Sequence, residues 1–356
     1  MRIAFCKFAG LANGGIEKYL QTLAILFKLN GHDVTYFYTN AAPCGWDHPD
    51  NSDVRKQLML DNNIKIVKIN VELWQNYDWI NNDFFEKFNE DDYDILVIGG
   101  TGGHEFPYYK IKNLKILHTI HGDLVFNRPN ILKSVLLCKW QANKWIQNGG
   151  DVSKMEIIPP IVYVPDEYPT NFREKNNIPK DAFVFGFHQR DDDSISLTVS
   201  LEAFKKVQNM NLEKQIYFIL LGGGKKHRDY ITNNDLKNTV VLNATSEVEE
   251  IHSFLDAIDV YTHCRLDGEV CSASIIEAMS HSTPIITYPG INMGHSEQVE
   301  GCGRMAYSVD EYVEEMLNLL SDNNYYTQMK TKVKDKYIKE YDYKLVNNKL
   351  LSLLKK

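Results

Sequence analysis

Short β-rich runs alternate with helical patterns along this chain, and the alternation occurs twice. "RIAFCKF" leads through "AGLANGG" into "IEKYLQTLAILFKLNG", where Ile16, Tyr19, Leu20, Leu23, Ile25, Leu26, Phe27 and Leu29 keep helical spacing up to a stop at Gly31. "HDVTYFYT", "IKIVKI", "YDILVIGG" and "LKILHTI" predict further strands. This order predicts a doubly wound parallel sheet, because parallel neighbours need a crossover and a helix supplies it. "EIIPPIVYVPDEYP", with four prolines in 14 residues, reads as a linker. Beyond it come strand "AFVFGF", helix "SLTVSLEAFKKVQ", strands "IYFILLGGG" and "NTVVLN", helix "EVEEIHSFLDAI", strand "DVYTHC", helix "SASIIEAMSH" and strand "PIITYP". The expected α/β architecture is two Rossmann-like domains, 1–162 and 163–335, facing across a cleft, with ligands beyond the carboxyl ends of the strands.

Composition agrees with two cores: 356 residues, 44% apolar and 24% charged. A net charge of −8 is modest and dispersed, which argues against a nucleic-acid partner. The cysteines at 6, 44, 138, 264, 271 and 302 form no CxxC pair and fall mostly in apolar runs, as reduced thiols of a cytoplasmic protein would. "MRIAFCKFAG" is too short for the apolar region of a signal peptide and reads as a first strand. No window reaches the roughly 18 to 20 apolar residues of a membrane span, so a soluble or peripheral protein is expected.

The densest chemistry lies in "GEVCSASIIEAM", residues 268–279. Glu269 is expected at the carboxyl edge of strand "DVYTHC", and Glu277 in the first turn of a helix beginning at Ser272 to Ser274. The amides of that turn, Ser272, Ala273 and Ser274, are orphan donors at the positive end of the helix dipole and suit a ligand phosphate. The flanking carboxylates suit sugar or ribose hydroxyls. Ser274-x-x-Glu277 also matches a capping box, which would occupy Glu277 structurally, and Glu269 also reads as a solvated loop acid.

"DGEVCSASIIEAMSHSTPIITYPG" resembles the E-x7-E signature of retaining GT-B glycosyltransferases of family 4. The resemblance extends to "GLANGGIEKYLQTLAILFKLNGHDV" as the N-terminal glycine loop and first helix, "LHTIHGD" as the strand ending in the active-site histidine, "FVFGFHQRDDDSISLTVSLEAF" as the Gly-Arg-Leu and Lys-Gly segment, and "VVLNATSEVEEIHSFLDAIDVYTHC" as the base-binding loop with its next helix and strand. It implies a nucleotide-diphosphate-sugar donor held mainly by the C-terminal domain. Glu277 would take the ribose hydroxyls, Glu269 those of the transferred sugar, and Asn243, Ala244 and Thr245 the base. Arg190, 14 residues before Phe204, would bind the diphosphate, with a surface ion pair to Asp191 to Asp193 as its alternative. His121 would contact the donor sugar, although a histidine after a strand also reads as structural. Gly14 and Gly15 would let backbone approach the diphosphate or acceptor, or else simply make the strand-to-helix turn. The implied reaction retains configuration and needs no metal or cofactor. The acceptor would be a glycan, a lipid-linked sugar or a small molecule, and residues 336–356 a helix crossing back to the N-terminal domain.

The chain departs from the family pattern at several positions. Ile195 stands where a lysine is usual five residues after the arginine, Cys271 and Ser272 replace a phenylalanine and glycine, and Pro160-Ile161 replaces an asparagine-glycine. Lys225 and Lys226 are candidate substitutes at the phosphates, or a solvated pair in a loop. These changes leave two alternatives beside transfer: a catalytically weakened sugar-nucleotide-binding protein, and an epimerase of the same fold. "GGTGGHEFP", residues 99–107, reads as a flexible loop on the cleft side that touches the acceptor. "ILKSVLLCKWQANKWIQ", residues 131–147, is expected to be one amphipathic basic helix with Trp140 and Trp145, packed on the N-domain sheet or lying at a membrane interface. In the tail, Tyr337, Tyr341, Leu345, Leu350, Leu351 and Leu354 predict an apolar helix face.

Overall fold

The computed structural model describes residues 1–12, 14–40 and 53–354. Two compact units emerge, Met1–Ile161 with Lys344–Lys356, and Val162–Tyr343.

The first unit runs β1 (Arg2–Lys7), α1 (Gly15–Leu29), β2 (Asp33–Tyr38), α2 (Asp53–Asp61), β3 (Lys65–Lys68), a hairpin of β4 (Val71–Gln75) and β5 (Asp78–Asn82), α3 (Phe84–Lys87), β6 (Ile95–Gly100), β7 (Lys115–Ile120), β8 (Ile131–Leu136), α4 (Lys139–Gln147) and β9 (Met155–Ile157). Seven strands form one parallel sheet in the order β3, β2, β1, β6, β7, β8, β9. The central strands are buried on both faces and correspondingly apolar throughout, as in β6 "ILVIGG". One side of the sheet packs on an aromatic cluster of Phe37, Trp79, Phe84, Phe88 and Phe106.

The second unit runs α5 (Phe172–Lys175), β10 (Phe183–Gln189), α6 (Val199–Gln208), β11 (Ile216–Gly222), α7 (Gly224–Asn233), β12 (Thr239–Leu242), α8 (Val248–Ala257), β13 (Val260–His263), β14 (Gly268–Glu269), α9 (Ala273–Ser280), β15 (Ile285–Thr287), β16 (Asn292–Met293), α10 (His295–Val299), β17 (Arg304–Met305), α11 (Val309–Ser321) and α12 (Asn323–Lys336). Its six-stranded parallel sheet has the order β12, β11, β10, β13, β15, β17. Phe185, Phe204, Phe218 and Phe254 are fully buried against it. Each sheet reverses its winding once, between β1 and β6 and between β10 and β13, and in open α/β sheets it is at the carboxyl ends beside such a reversal that ligands bind. After a π turn at Tyr337–Tyr341 comes α13 (Tyr343–Leu353), and Lys344 onward groups with the first unit.

Several local expectations are corrected. Residues 131–147 are not one helix. Ile131–Leu136 pairs with β7 and β9 as a strand, and α4 begins only after the Cys138 cap. Gln141 decides this locally: fully buried, it binds the Leu137 amide at 2.6 Å and donates to the Ile120 and Gly122 carbonyls at 2.8 and 2.6 Å. Trp145 is fully buried and Lys144 sits over the Trp140 ring at 3.9 Å, so no two-tryptophan membrane face forms. The 99–107 segment is anchored: Gly99 and Gly100 belong to β6, and the Glu105 carboxylate accepts from the Thr101 amide at 2.9 Å and its hydroxyl at 2.6 Å. Lys225 and Lys226 lie in the first turn of α7, not in a loop, and α6 starts at Val199. The tail buries Tyr341, Val346, Leu350 and Leu353, while Tyr337, Leu345, Leu351 and Leu354 are half-buried, because the π turn rotates the next helix. Cys6, Cys138, Cys264, Cys271 and Cys302 are free and buried, whereas Cys44 lies outside the described residues.

Candidate active site

β10 and β13 end side by side at the winding reversal of the second unit, and the chain beyond them carries the paired carboxylates. Beyond β13, Arg265 forms an antiparallel bridge to Ser196, and the Leu266 amide donates to the Ile195 carbonyl at 2.9 Å. Gly268 then turns with φ +61°; a Cβ there would lie 2.0 Å from the Asn292 carbonyl oxygen, so glycine is needed to bring Glu269 into β14 beside β16.

Glu269 is held by a neighbour that motif reading did not single out. Arg265 places Nη1 2.9 Å from Glu269 Oε1 while its fork engages Asp267 at 2.9 and 2.6 Å. Burial raises the Glu269 pKa; the Arg265 guanidinium opposes this, Asp267 adds to it, and Arg190 opposes it from farther off. His263 Nε2 lies 4.0 Å from the same carboxylate oxygen, and burial, with His295 and Arg265, holds this imidazole well below its usual range. It is therefore neutral at pH 7.

The capping-box reading of Glu277 is corrected by where α9 begins. Ser272 is the N-cap, its hydroxyl accepting from the Ile275 amide at 3.5 Å, so the third helical position holds Ile275 and Glu277 stands in the second turn. Gln298 fixes this start from across the fold, accepting from the Ser272 amide at 2.7 Å and donating to the Ser272 carbonyl at 2.9 Å. The Ser272 amide is thereby taken, and Ala273 and Ser274 retain the first two helical amides, which have no intrahelical acceptor. Glu277 instead approaches His188, with Oε2 3.0 Å from Nε2.

Arg190 is 54% exposed at the side chain and pairs with Asp192, Nη2 to Oδ2 at 3.0 Å, yet its charge still acts on Glu269. The other two acids of the run serve α7: Asp191 accepts from the Gly224 amide at 3.0 Å and Asp193 from the Lys226 amide at 2.8 Å. Lys225 pairs with Asp229, and Lys226 donates to the Ser196 carbonyl at 2.8 Å. Ile195 is core, 5% exposed. Asn243, Ala244 and Thr245 form the loop between β12 and α8; Asn243 and Ala244 are exposed, and the Thr245 hydroxyl accepts from the Glu247 amide at 3.1 Å.

In the first unit, Gly14 caps α1 with an ordinary φ of −71°, and a Cβ there would meet Glu17 Oε2 at 1.9 Å. Glu17, paired with Lys7 at 3.2 Å, thus lays its own carboxylate over the helix start, while Gly15 faces open space. His121 comes directly after β7, with its ring edge-on to Tyr19 at 5.0 Å. Burial pushes its pKa down to about 3, with Lys7 and His118 adding to the effect. It is a neutral group at working pH.

Sequence reasoning missed Arg265, His188 and His263. The signal available was Arg265-x-Asp267-x-Glu269, one cation followed by two acids at every second position just beyond a strand end. Among the described residues no group of three or more His, Cys, Asp or Glu is arranged to hold a metal ion, and no helix is long and apolar enough to cross a membrane.

Comparison with known proteins agrees with this fold. Solved structures are similar along the whole chain. Anabaena HepE in complex with UDP-glucose superposes with a TM-score of 0.71 at 15% identity, covering 100% of this chain and 99% of that one. The corresponding values for a Rickettsia africae glycosyltransferase are 0.73, 15%, 99% and 97%. For WaaG, a glycosyltransferase involved in lipopolysaccharide biosynthesis, they are 0.67, 14%, 98% and 98%. The fold is GT-B. Residues 169–336, most of the second unit of this GT-B chain, match the family model of glycosyl transferases group 1. No curated protein matches the sequence significantly.

Proposed function

We propose that this chain is a retaining, metal-independent glycosyltransferase that moves a sugar from a nucleotide-diphosphate sugar to a hydroxyl of a glycan, lipid-linked or small-molecule acceptor. The observation that carries the reading is the placement of Glu269 and Glu277 on either side of the α9 start, at the winding reversal of a unit that matches group 1 glycosyltransferases. In this reading Glu277 binds the ribose hydroxyls and Glu269, oriented by Arg265, those of the transferred sugar. Asn243, Ala244 and Thr245 line the base. The Ala273 and Ser274 amides and Arg190 meet the diphosphate.

Charge grows on the diphosphate as the glycosidic bond breaks, so fixed donors there stabilise the transition state more than the ground state. Arg190 must exchange Asp192 for the donor, which its exposure permits. The retaining course is the one the resemblance implies, with the acceptor attacking from the leaving-group face and a donor phosphate oxygen taking its proton. In the first unit, the same reading gives His121 a donor-sugar contact, for which a neutral imidazole is suited.

HepE is described in complex with UDP and with UDP-glucose, which makes uridine donors the first to test. The decisive experiment screens a panel of nucleotide sugars by calorimetry and by NMR of the product anomer. Retained configuration with turnover supports the proposal; an inverted product overturns the retaining course, and absence of binding overturns the whole reading. The burial of Ile195, which leaves the usual cation missing, favours one second reading, a protein that binds sugar nucleotides without transfer. Tight binding with neither hydrolysis nor transfer would select it.

A further inference from the structure

We propose that His188 is a positioning residue for Glu277, and that the pair makes the site discriminate a ribose from a 2′-deoxyribose. The inference rests on the reading of Glu277 as the ribose acid and adds to it the residue that makes the acid selective.

His188 occupies the carboxyl end of β10, on the strand where the winding of the sheet reverses. Its ring is wedged between Phe254 of α8 at 6.0 Å and Tyr261 of β13 at 5.7 Å, so it has little freedom to turn away. Nε2 stands 3.0 Å from Glu277 Oε2, with the side chains 13% and 20% exposed. The contact has the distance of an ion pair without the alignment of a hydrogen bond, and Nε2 has no better-directed acceptor among the described residues. Contacts of this kind in unliganded sites tighten when the ligand enters.

The other titratable groups around Glu277 do not compete for this role. His252 of α8 and His281 after α9 stack at 5.0 Å with Nδ1 and Nε2 2.8 Å apart, and Tyr168 packs on both rings. That contact engages His252 Nδ1 and His281 Nε2 with each other. Burial pushes His281 down to about 4, with His252 adding to the effect, and burial lowers His252 while Glu277 pulls it up. The Tyr261 hydroxyl donates to the His188 carbonyl at 3.3 Å. His188 is thus the histidine whose ring nitrogen lies against the acid, at 3.0 Å.

A glutamate side chain has several rotors, and a vicinal diol rewards only a carboxylate whose plane is set in advance. A donor fixed in the β-sheet at Oε2 supplies that setting. Loss of a hydrogen bond to a charged group corresponds to roughly tenfold to hundredfold in affinity. The loss should fall on the ligand that owns the 2′-hydroxyl.

The test uses whichever of UDP, GDP and ADP the full-length wild type binds, together with its 2′-deoxy counterpart, titrated calorimetrically into wild type, E277Q, H188L, H188N and H188Q. The expected result is that H188L and H188N weaken the ribonucleotide at least tenfold and leave the deoxynucleotide within about twofold, so that the ratio collapses as in E277Q. H188Q, whose longer amide still donates to the carboxylate, should keep most of the discrimination. Equal loss of both ligands in H188L and H188N, or no loss of either, overturns the proposal while E277Q still reports on the ribose acid. If wild type binds none of the three diphosphates, the wider reading fails and this inference with it.

Discussion

Replacing Arg265 by methionine should raise the Glu269 pKa further and favour the protonated form of that carboxyl. The Arg265 guanidinium lies 2.9 Å from Glu269 Oε1 and is the leading influence opposing the rise that burial imposes on this carboxyl. With charge centres about 4 Å apart and an effective dielectric near 20, the lost attraction is about 4 kcal/mol. Water entering the vacated volume and the Arg190 charge return part of this, leaving a net rise in the Glu269 pKa. A carboxyl whose folded pKa is already raised burdens the fold when ionised and is relieved as pH falls through that pKa. Arg265→Met enlarges the burden and leaves Asp267 uncompensated. The stability deficit, about 3 to 5 kcal/mol at neutral pH, should therefore shrink on acidification. The acid limb of turnover should move to higher pH, while Arg265→Lys leaves it nearly in place. The assay is turnover across about two units on either side of neutrality, with denaturant melts at both ends. An unmoved acid limb together with a pH-independent deficit would refute the electrostatic account of Glu269.

The remaining expectations concern the departures from the family pattern and the tail. Ile195→Lys should lose about 3 kcal/mol or more in denaturant melts and gain no turnover, because its side chain is core and an ammonium would be buried; faster turnover would show that the lysine reaches the phosphates. Arg190→Ala should leave stability within about 0.5 kcal/mol but slow transfer by an equivalent of roughly 2 to 4 kcal/mol, with rate falling more than donor affinity; unchanged turnover would misplace the clamp. EDTA should leave activity unaltered, and loss restored by a divalent ion would reverse that expectation. Deleting residues 340–356 strips away the buried Val346, Leu350 and Leu353, worth about 5 kcal/mol or more in apolar burial, and should lower the melting temperature clearly.

What could be read from the sequence and what could not divide along a physical line. The strand and helix alternation was legible because run length, composition and the 3.6 period are properties of the local chain: "YDILVIGG" and "FVFGF" are short apolar, β-branched or aromatic runs, and "IEKYLQTLAILFKL" keeps helical spacing without help from elsewhere. "ILKSVLL" misled because a short apolar run fits either period, and the choice was made by the β7 ladder and by Gln141 reaching back to Ile120. The start of α9 was ambiguous between two serines until Gln298, 26 residues on, clamped Ser272 from both sides.

The acidic run after Arg190 shows the same limit and changes the chemistry drawn from it. Read locally, Asp191 to Asp193 oppose a phosphate; in the fold, Asp191 and Asp193 serve the amides of α7, 33 residues away, and Asp192 holds Arg190. Ile195 likewise reads as a missing cation, yet its backbone accepts from Leu266, beside the residue that carries a guanidinium to Glu269. The positive charge of this site is therefore not simply absent. It enters from the β13 side, where the Arg265 guanidinium meets the Glu269 carboxylate at 2.9 Å and opposes the effect of burial on it.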